Sequence, residues 1–214
     1  MKKVNILKTI TDCGIVAIIR TESKEEAVKI FDALVAGGIK SIEISYTTPG
    51  ANEAIQAIAA QYGNSSEVVV GAGTILDAET ARIAILAGAQ FIVSPTFDAQ
   101  TAKLCNLYQV PYLPGCMTVT EMKTALEYGV DIIKLFPGNM FSPEFVRAVK
   151  APLPQVNIMP TGGVRLENIA DWFKNGSVAV GIGDSLIAPA KLGDYEKVSQ
   201  IASQYLLKVQ EARH

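Results

Sequence analysis

The segment DIIKLF, residues 131–136, places Lys134 in the middle of an apolar run. A buried ammonium ion is costly to desolvate unless it is paired with an anion or gives up its proton. A neutral amine can attack a ketone and form a Schiff base, which lets a neighbouring carbon–carbon bond break or form without a metal. Lys134 is therefore predicted to be a covalent catalyst, and the alternative is a structural ion pair with a buried carboxylate.

A weak internal repeat supplies a candidate carboxylate. Four segments share a glycine that ends a helix, and the strand position five residues later is Glu43, Val93, Lys134 and Gly181 in turn. The interior of an α/β barrel is built in layers of side chains from alternate strands. We therefore expect Glu43 and Lys134 to point at one axis, with Glu43 as general acid and base, and Gly181 to leave room for a ligand.

Three predicted loops have the composition of a binding site. PTGGV (160–164) and GIGDSL (181–186) are glycine-rich and lie between a predicted strand and a helix, where backbone N–H groups can hold a phosphate. GAGT (71–74) is not a dinucleotide fingerprint, because Leu76 occupies the last glycine position of G-x-G-x-x-G. Arg20 ends the first predicted strand and could clamp a carboxylate. The alternatives are ordinary tight turns and a surface salt bridge.

These residues can form one site only in a fold that brings the carboxyl ends of several strands together. Short apolar runs rich in β-branched residues predict buried strands, and the amphipathic stretches between them predict helices that end in glycine. The alternation favours an α/β fold, a (β/α)8 TIM barrel with a short N-terminal helix, as a single domain over residues 1–214. The strands are predicted at 15–20, 39–44, 67–72, 90–94, 110–114, 131–136, 155–160 and 178–182.

Composition limits the possible partners. Of 214 residues 49% are hydrophobic and 19% charged, and the net charge of −2 argues against nucleic-acid binding. No apolar run approaches the roughly 18 residues that span a bilayer, and the start does not read as a signal peptide. Three cysteines without a C-x-x-C pair favour free thiols in a reducing cytoplasm. Because His214 is the only histidine, we expect no histidine-based metal site and no Ser-His-Asp triad. Because GAGT is not a dinucleotide fingerprint and Schiff-base chemistry needs no metal, we also expect no cofactor.

Nearly end to end, the chain resembles the 2-dehydro-3-deoxy-6-phosphogluconate / 4-hydroxy-2-oxoglutarate aldolase family, class I lyases on a (β/α)8 barrel. Each motif alone is weak, but their order and spacing are specific. The motifs that carry the resemblance are IEI, GAGT, VSP, PGCMT, KLFP, PTGGV and GIGDSL.

The resemblance implies that Lys134 forms a Schiff base with pyruvate and that Glu43 is the general acid/base. It also implies a homotrimer, a pyruvate pocket and a phosphate site. The pocket would be lined by Thr74, Pro95, Thr118 and Phe136, and the phosphate would face Gly162, Gly163, Gly183 and Asp184.

Two positions depart from the family's pattern. Many members have an arginine four residues beyond the catalytic glutamate, where this chain has Thr47, and Arg20 is the candidate to bind the carboxylate instead. Members that bind phosphate often have serine where this chain has Asp184. Either Asp184 caps the next helix and turns away, leaving Gly183 and Ser185 to donate, or the substrate carries no phosphate.

The expected reaction is reversible cleavage of a 2-keto-3-deoxy-6-phospho sugar acid to pyruvate and glyceraldehyde 3-phosphate. The closest alternative is the same chemistry on 4-hydroxy-2-oxoglutarate, which gives pyruvate and glyoxylate. More distant alternatives are a non-covalent phosphate-binding barrel enzyme, such as a thiamine-phosphate-synthase-like enzyme, and an inactive barrel that only binds a sugar phosphate.

Overall fold

The structure, a computed structural model, describes residues 1–63 and 67–213 and is an α/β fold with parallel strands; His214 lies outside these ranges. The first half contains α1 (Lys2–Cys13), β1 (Ile15–Ile19), α2 (Lys24–Ala36), β2 (Ser41–Ser45), α3 (Ala51–Tyr62), β3 (Val69–Gly73), α4 (Ala78–Ala87), β4 (Phe91–Val93) and α5 (Ala99–Tyr108). The second half contains β5 (Tyr112–Leu113), β6 (Gly115–Cys116), α6 (Val119–Glu127), β7 (Ile133–Leu135), α7 (Glu144–Lys150), β8 (Ile158–Pro160), α8 (Ile169–Lys174), β9 (Val180–Ile182), α9 (Asp184–Ile187) and α10 (Tyr195–Arg213).

The strands form two curled parallel sheets. The larger sheet has the order β5-β4-β3-β2-β1-β9, and the smaller one has the order β6-β7-β8. A parallel bridge between Thr161 and Gly181 connects the end of β8 to β9. Paired strands that follow each other along the chain are joined by a crossover in which a helix returns the chain, as parallel pairing requires, whereas β5 runs directly into β6.

The predicted strand 110–114 is wrong in one respect, because it is divided into β5 and β6 at Pro114. Proline has no backbone N–H to donate to a ladder. Its carbonyl still accepts from the Lys134 N–H at 2.9 Å, so the chain continues along β7 after the break. The other seven predicted strands each overlap an observed strand.

Several helices begin at a side chain that can satisfy one of the first free N–H groups. Ser23, Asp77 and Asp98 each accept a hydrogen bond from the backbone N–H three residues later, which caps α2, α4 and α5. The helices between strands then bury an apolar face against the sheets. None of the helices in the described ranges has both the length and the apolar character to cross a bilayer.

Two apolar clusters hold the fold. The larger one lies between the strands and the helices that cover them. The smaller one contains strand side chains, among them Phe91 and Leu113, together with Ile6 and Ile10 of α1. The predicted N-terminal helix is confirmed, and it packs on this second cluster. The carboxyl ends of the strands remain open.

Candidate active site

A cavity of about 740 Å³ lies at the carboxyl ends of the strands. This volume falls within the range usual for small-molecule sites. Its wall comes from β1, β2, β7 and β9 and from the loops after β1, β3, β4, β7, β8 and β9. Ten of the predicted site residues line it, namely Arg20, Glu43, Thr74, Pro95, Lys134, Phe136, Gly162, Gly163, Gly183 and Asp184.

Lys134 and Glu43 are both buried in this wall, with 6% and 2% of their surfaces exposed. Lys134 lies on β7 and Glu43 on β2, so the repeat correctly predicts that they face one cavity. The two form no ion pair among the described residues, and Glu43 Oε2 is buried without a hydrogen-bond partner. Lys134 Nζ lies 4.9 Å from the centroid of the Phe136 ring. A structural ion pair is therefore not what holds the lysine in place.

Burial shifts both groups toward their neutral forms. Desolvation lowers the pKa of Lys134; the charge of Glu43 opposes this shift and that of Arg20 adds to it. Desolvation raises the pKa of Glu43, against opposing contributions from Lys134 and Arg20. The neutral pair is an amine that can act as a nucleophile and a carboxylic acid that can donate a proton.

Two close approaches explain how these side chains fit. A Cβ atom on Gly73 would overlap the Glu43 carboxyl group, so the second glycine of GAGT makes room for the acid. A Cβ atom on Gly181 would overlap the Thr161 side chain. Gly181 itself lines the cavity, and the space beside it is shared with the Thr161 side chain, so the room that it leaves for a ligand stays a prediction.

A chain of hydroxyl groups supports Thr74. The Ser45 hydroxyl, which is fully buried, lies 2.9 Å from Thr74 Oγ1 and 2.8 Å from Thr47 Oγ1. Thr74 has a φ of +62°, a strained conformation for a β-branched residue and one that concentrates at functional sites. Thr47 itself is exposed and does not line the cavity, and it is connected to Thr74 through Ser45, so its contact with substrate stays a prediction.

Thr118 also lies outside the cavity wall, contrary to the prediction. It is the exposed N-cap of α6 and forms a capping box with Glu121. The Glu121 carboxylate accepts hydrogen bonds from the N–H groups of Met117 and Thr118 at 2.8 Å each. The sequence does contain the signal for this role, since threonine followed three residues later by glutamate is a capping box pattern.

Asp184 does not cap the helix that it begins. Gly183 occupies the N-cap position of α9, and no side chain caps this helix. Asp184 is exposed, lines the cavity and forms no ion pair among the described residues. The prediction that it caps the helix is wrong, and Asp184 is one of the residues that line the cavity.

Sequence reasoning missed three polar residues of the wall, Asn139, Thr161 and Arg165. Thr161 is 4% exposed, and its hydroxyl has no hydrogen-bond partner, which marks it as a group that a ligand could satisfy. The position of Thr161 within PTGGV, between the strand end and the two glycines, is a sequence signal for it. Asn139 lies in a short 3₁₀ helix after β7 and Arg165 in the loop after β8, where sequence gives little indication of side-chain direction.

The fold and the cavity define an α/β enzyme in which a lysine and an acid share one buried site. The family described as "Aldolase: KDPG and KHG aldolase" matches residues 6–201. The chain is 34% identical to 2-dehydro-3-deoxy-phosphogluconate aldolase of Treponema pallidum, over 95% of this chain and 97% of the relative. It belongs to the KDPG and KHG aldolase family, and it is a class I aldolase, a carbon–carbon lyase that works through a Schiff base.

Solved structures agree with this assignment. A structure described as native KDPGal aligns with a TM-score of 0.87 at 32% identity, covering 93% of this chain and 95% of that chain. A cube-shaped protein cage, designed by fusing symmetric oligomeric domains, aligns with a TM-score of 0.86 at 32% identity. That match covers 94% of this chain and 73% of the cage chain.

Proposed function

We propose that this aldolase cleaves 2-keto-3-deoxy-6-phosphogluconate (KDPG) to pyruvate and glyceraldehyde 3-phosphate, with Lys134 as nucleophile and Glu43 as general acid and base. The observation that carries the assignment of residues is the buried amine and the buried, unpartnered carboxyl group in one cavity. Other lysines of the chain do not line this cavity. The name of the Treponema pallidum relative supports a phosphorylated substrate.

The first step joins enzyme and substrate. The neutral Lys134 amine attacks the C2 ketone, and the amine proton moves to the oxygen to give a carbinolamine. Protonated Glu43 then donates its proton to that hydroxyl, water leaves, and a cationic iminium forms beside the new carboxylate. The raised pKa of Glu43 suits this role, because the acid must hold its proton until the hydroxyl needs it.

The second step breaks the carbon–carbon bond. The Glu43 carboxylate takes the proton of the C4 hydroxyl, the C3–C4 bond breaks, and its electron pair neutralises the iminium to give an enamine and the free aldehyde. Glu43 returns the proton to C3 of the enamine. Water then adds to the pyruvate iminium, Glu43 recovers a proton, and the Lys134 amine is released with pyruvate.

The same cavity offers groups for the substrate's two ends. Arg20 lines it without an ion pair among the described residues, and we assign it to the substrate carboxylate together with the Thr74 hydroxyl. Pro95 and Phe136 provide the apolar wall beside the pyruvate part. The phosphate is assigned to the loop after β8, which contains Gly162 and Gly163, and to the turn after β9, which contains Gly183.

One observation favours a second substrate. Asp184 lines the cavity next to Gly183, at the end that we assign to phosphate, and a carboxylate there would repel a phosphate because like charges repel. The second candidate is therefore 4-hydroxy-2-oxoglutarate, which has no phosphate and would give pyruvate and glyoxylate by the same steps.

Pyruvate release from both substrates, measured through coupled oxidation of NADH by lactate dehydrogenase, tests this assignment. We expect kcat/KM for KDPG to exceed that for 4-hydroxy-2-oxoglutarate by at least about tenfold, which is the effect of one good charge-assisted contact. The reverse ranking would replace the first candidate with the second. Release from neither substrate would contradict both.

We further propose that the whole chain acts as one domain, a closed (β/α)8 barrel in a cytoplasmic homotrimer. The bridge between Thr161 and Gly181 and the continuation of β5 into β6 support closure of the two sheets. Three free, buried cysteines support a reducing compartment. The similarity to a cage built from symmetric oligomeric domains supports a symmetric assembly.

A further inference from the structure

Two charged side chains of the cavity wall are left without a role by the reaction. Arg165 follows β8 and Asp184 follows β9, and both line the cavity and are exposed. Neither forms an ion pair among the described residues. Free charges of opposite sign at a cavity that takes a charged substrate are candidates for selecting that substrate.

Hydrogen bonds hold the backbones of the two loops in fixed positions. The Arg165 N–H donates to Asn168 Oδ1 at 2.8 Å, and Asn168 Nδ2 donates to the Gly163 carbonyl at 2.9 Å. The Ser185 hydroxyl donates to the Val164 carbonyl at 3.3 Å, which ties the turn after β9 to the loop after β8. Arg165 and Asp184 therefore start from backbone positions that are fixed relative to each other.

The two cavity arginines follow different strands. Arg20 follows β1, and its charge contributes to the pKa shifts of both Lys134 and Glu43. Arg165 follows β8, and the carbonyl of the preceding residue, Val164, accepts a hydrogen bond from the Ser185 hydroxyl in the turn that contains Asp184. The Tyr205 hydroxyl in turn donates to Ser185 Oγ at 3.1 Å.

We propose that Arg165 and Asp184 together set how strongly this aldolase prefers a phosphorylated keto acid over its unphosphorylated counterpart. Arg165 attracts the terminal phosphate, and Asp184 repels it. The inference rests on the proposed function, because it assumes that the substrate's reactive end occupies Lys134 and that its far end therefore meets these loops.

Opposite charges give the two residues opposite effects. A guanidinium donates charge-assisted hydrogen bonds to phosphate, whereas a neutral hydroxyl at the same place gains much less from it. A carboxylate near a phosphate dianion disfavours the dianion, whereas it can accept a hydrogen bond from a hydroxyl. Loss of Arg165 should therefore lower the preference for phosphate, and loss of the Asp184 charge should raise it.

The experiment compares kcat/KM for KDPG with that for unphosphorylated 2-keto-3-deoxygluconate in the full-length enzyme. The variants are R165Q, R165K and D184N, and R147Q serves as the control because Arg147 is exposed on α7 and does not line the cavity. We expect R165Q to lower the ratio of the two values by about tenfold or more and D184N to raise it by a few fold. R165K should retain most of the ratio, and R147Q should leave it unchanged.

A second readout does not depend on turnover. Glycerol 3-phosphate resembles the phosphorylated end of KDPG, and glycerol resembles the same end without phosphate. Neither has a reactive ketone, and calorimetry measures the binding of each. R165Q should weaken the binding of glycerol 3-phosphate, and D184N should strengthen it. If R165Q and D184N change neither this affinity nor the kcat/KM ratio by more than about twofold, or shift them in the reverse directions, the inference is wrong.

Failure of the proposed chemistry would look different. Pyruvate lacks the part of the substrate that would contact Arg165 and Asp184. Wild type, R165Q and D184N should therefore all be trapped as pyruvate adducts to the same extent when borohydride is added. Absence of an adduct in wild type would overturn the role of Lys134, while the affinity for glycerol 3-phosphate would still decide the roles of Arg165 and Asp184.

Discussion

At the scale of single residues, the proposed chemistry depends on a lysine and a glutamate that are both buried away from water. Lys134 has no ion-pair partner in the described chain, and Glu43 Oε2 has no hydrogen-bond partner. Such unpartnered buried groups cost stability and persist at sites that use them. The apolar run around Lys134 and the glycine repeat made both residues predictable from sequence.

Glu43→Gln should slow turnover far more than it weakens pyruvate binding. The amide keeps the shape of the side chain but cannot donate and then recover a proton, so we expect kcat to fall by about 10²- to 10⁴-fold. Product-inhibition kinetics should show the inhibition constant of pyruvate changing by less than about tenfold. Glu79→Gln, at an exposed position, is the matched control, and a kcat for Glu43→Gln equal to that of this control would remove Glu43 from the mechanism.

Lys134→Met should increase stability while abolishing activity. Burial lowers the pKa of Lys134 below its ordinary value of 10.5, so between the two values the unfolded chain binds a proton that the folded protein does not. Wild-type stability therefore rises with pH across that window, and the advantage of the methionine is largest at low pH and shrinks as pH approaches 10.5.

Urea unfolding from about pH 6 to about pH 9 measures this difference, which we expect to be about 1 kcal/mol or more at the acid end. Lys191→Met, at an exposed position, should show no such trend. A Lys134→Met protein that is less stable than wild type at the acid end, with a deficit that stays constant or shrinks as pH rises, would show that the lysine is a structural cation.

At the scale of secondary-structure elements, strands hold the two residues proposed to be catalytic, and loops hold those proposed to select the substrate. Apolar runs predicted the strands well because buried parallel strands have a strong composition signal. The break at Pro114 also has a sequence cause, since proline cannot donate to a ladder. Arg165 was missed because a loop side chain's direction depends on contacts such as the Asn168 bridge, which no periodic pattern encodes.

Gly181→Ala should destabilise the junction between β8 and β9. The new methyl group would overlap the Thr161 side chain, and we expect a loss of about 1–3 kcal/mol, as for other overpacked sites. Thr161→Ala in the same protein should recover much of that loss. Thermal unfolding of the four proteins of this double-mutant cycle measures the coupling, and additive losses would show that the two side chains do not compete for one space.

At the scale of the whole molecule, the family resemblance and the structure agree on an α/β aldolase, while its assembly remains the least predictable property. Exposed apolar residues are the main indication of an interface. Ile83 and Leu86 on α4 are 52% and 68% exposed, and Leu107 on the neighbouring α5 is 75% exposed. In the sequence these apolar residues look like those that face the core. Only the arrangement of the helices in the fold shows that they point outward.

The proposed homotrimer should depend on this face. Leu86→Glu combined with Leu107→Glu would place charges in the proposed interface. We expect sedimentation to give the mass of a monomer for this double variant and the mass of a trimer for wild type. Leu207→Glu is the control, because it is 56% exposed on α10, which packs against α2 and α8. A double variant that keeps the wild-type mass would place the interface elsewhere.

The most direct test of the central claim is to incubate the enzyme with pyruvate, reduce it with borohydride and weigh the intact protein and its peptides. The account predicts one reduced pyruvate adduct per chain, located at Lys134, and no adduct in Lys134→Arg. An unmodified wild-type protein, or an adduct that persists in Lys134→Arg, would contradict it.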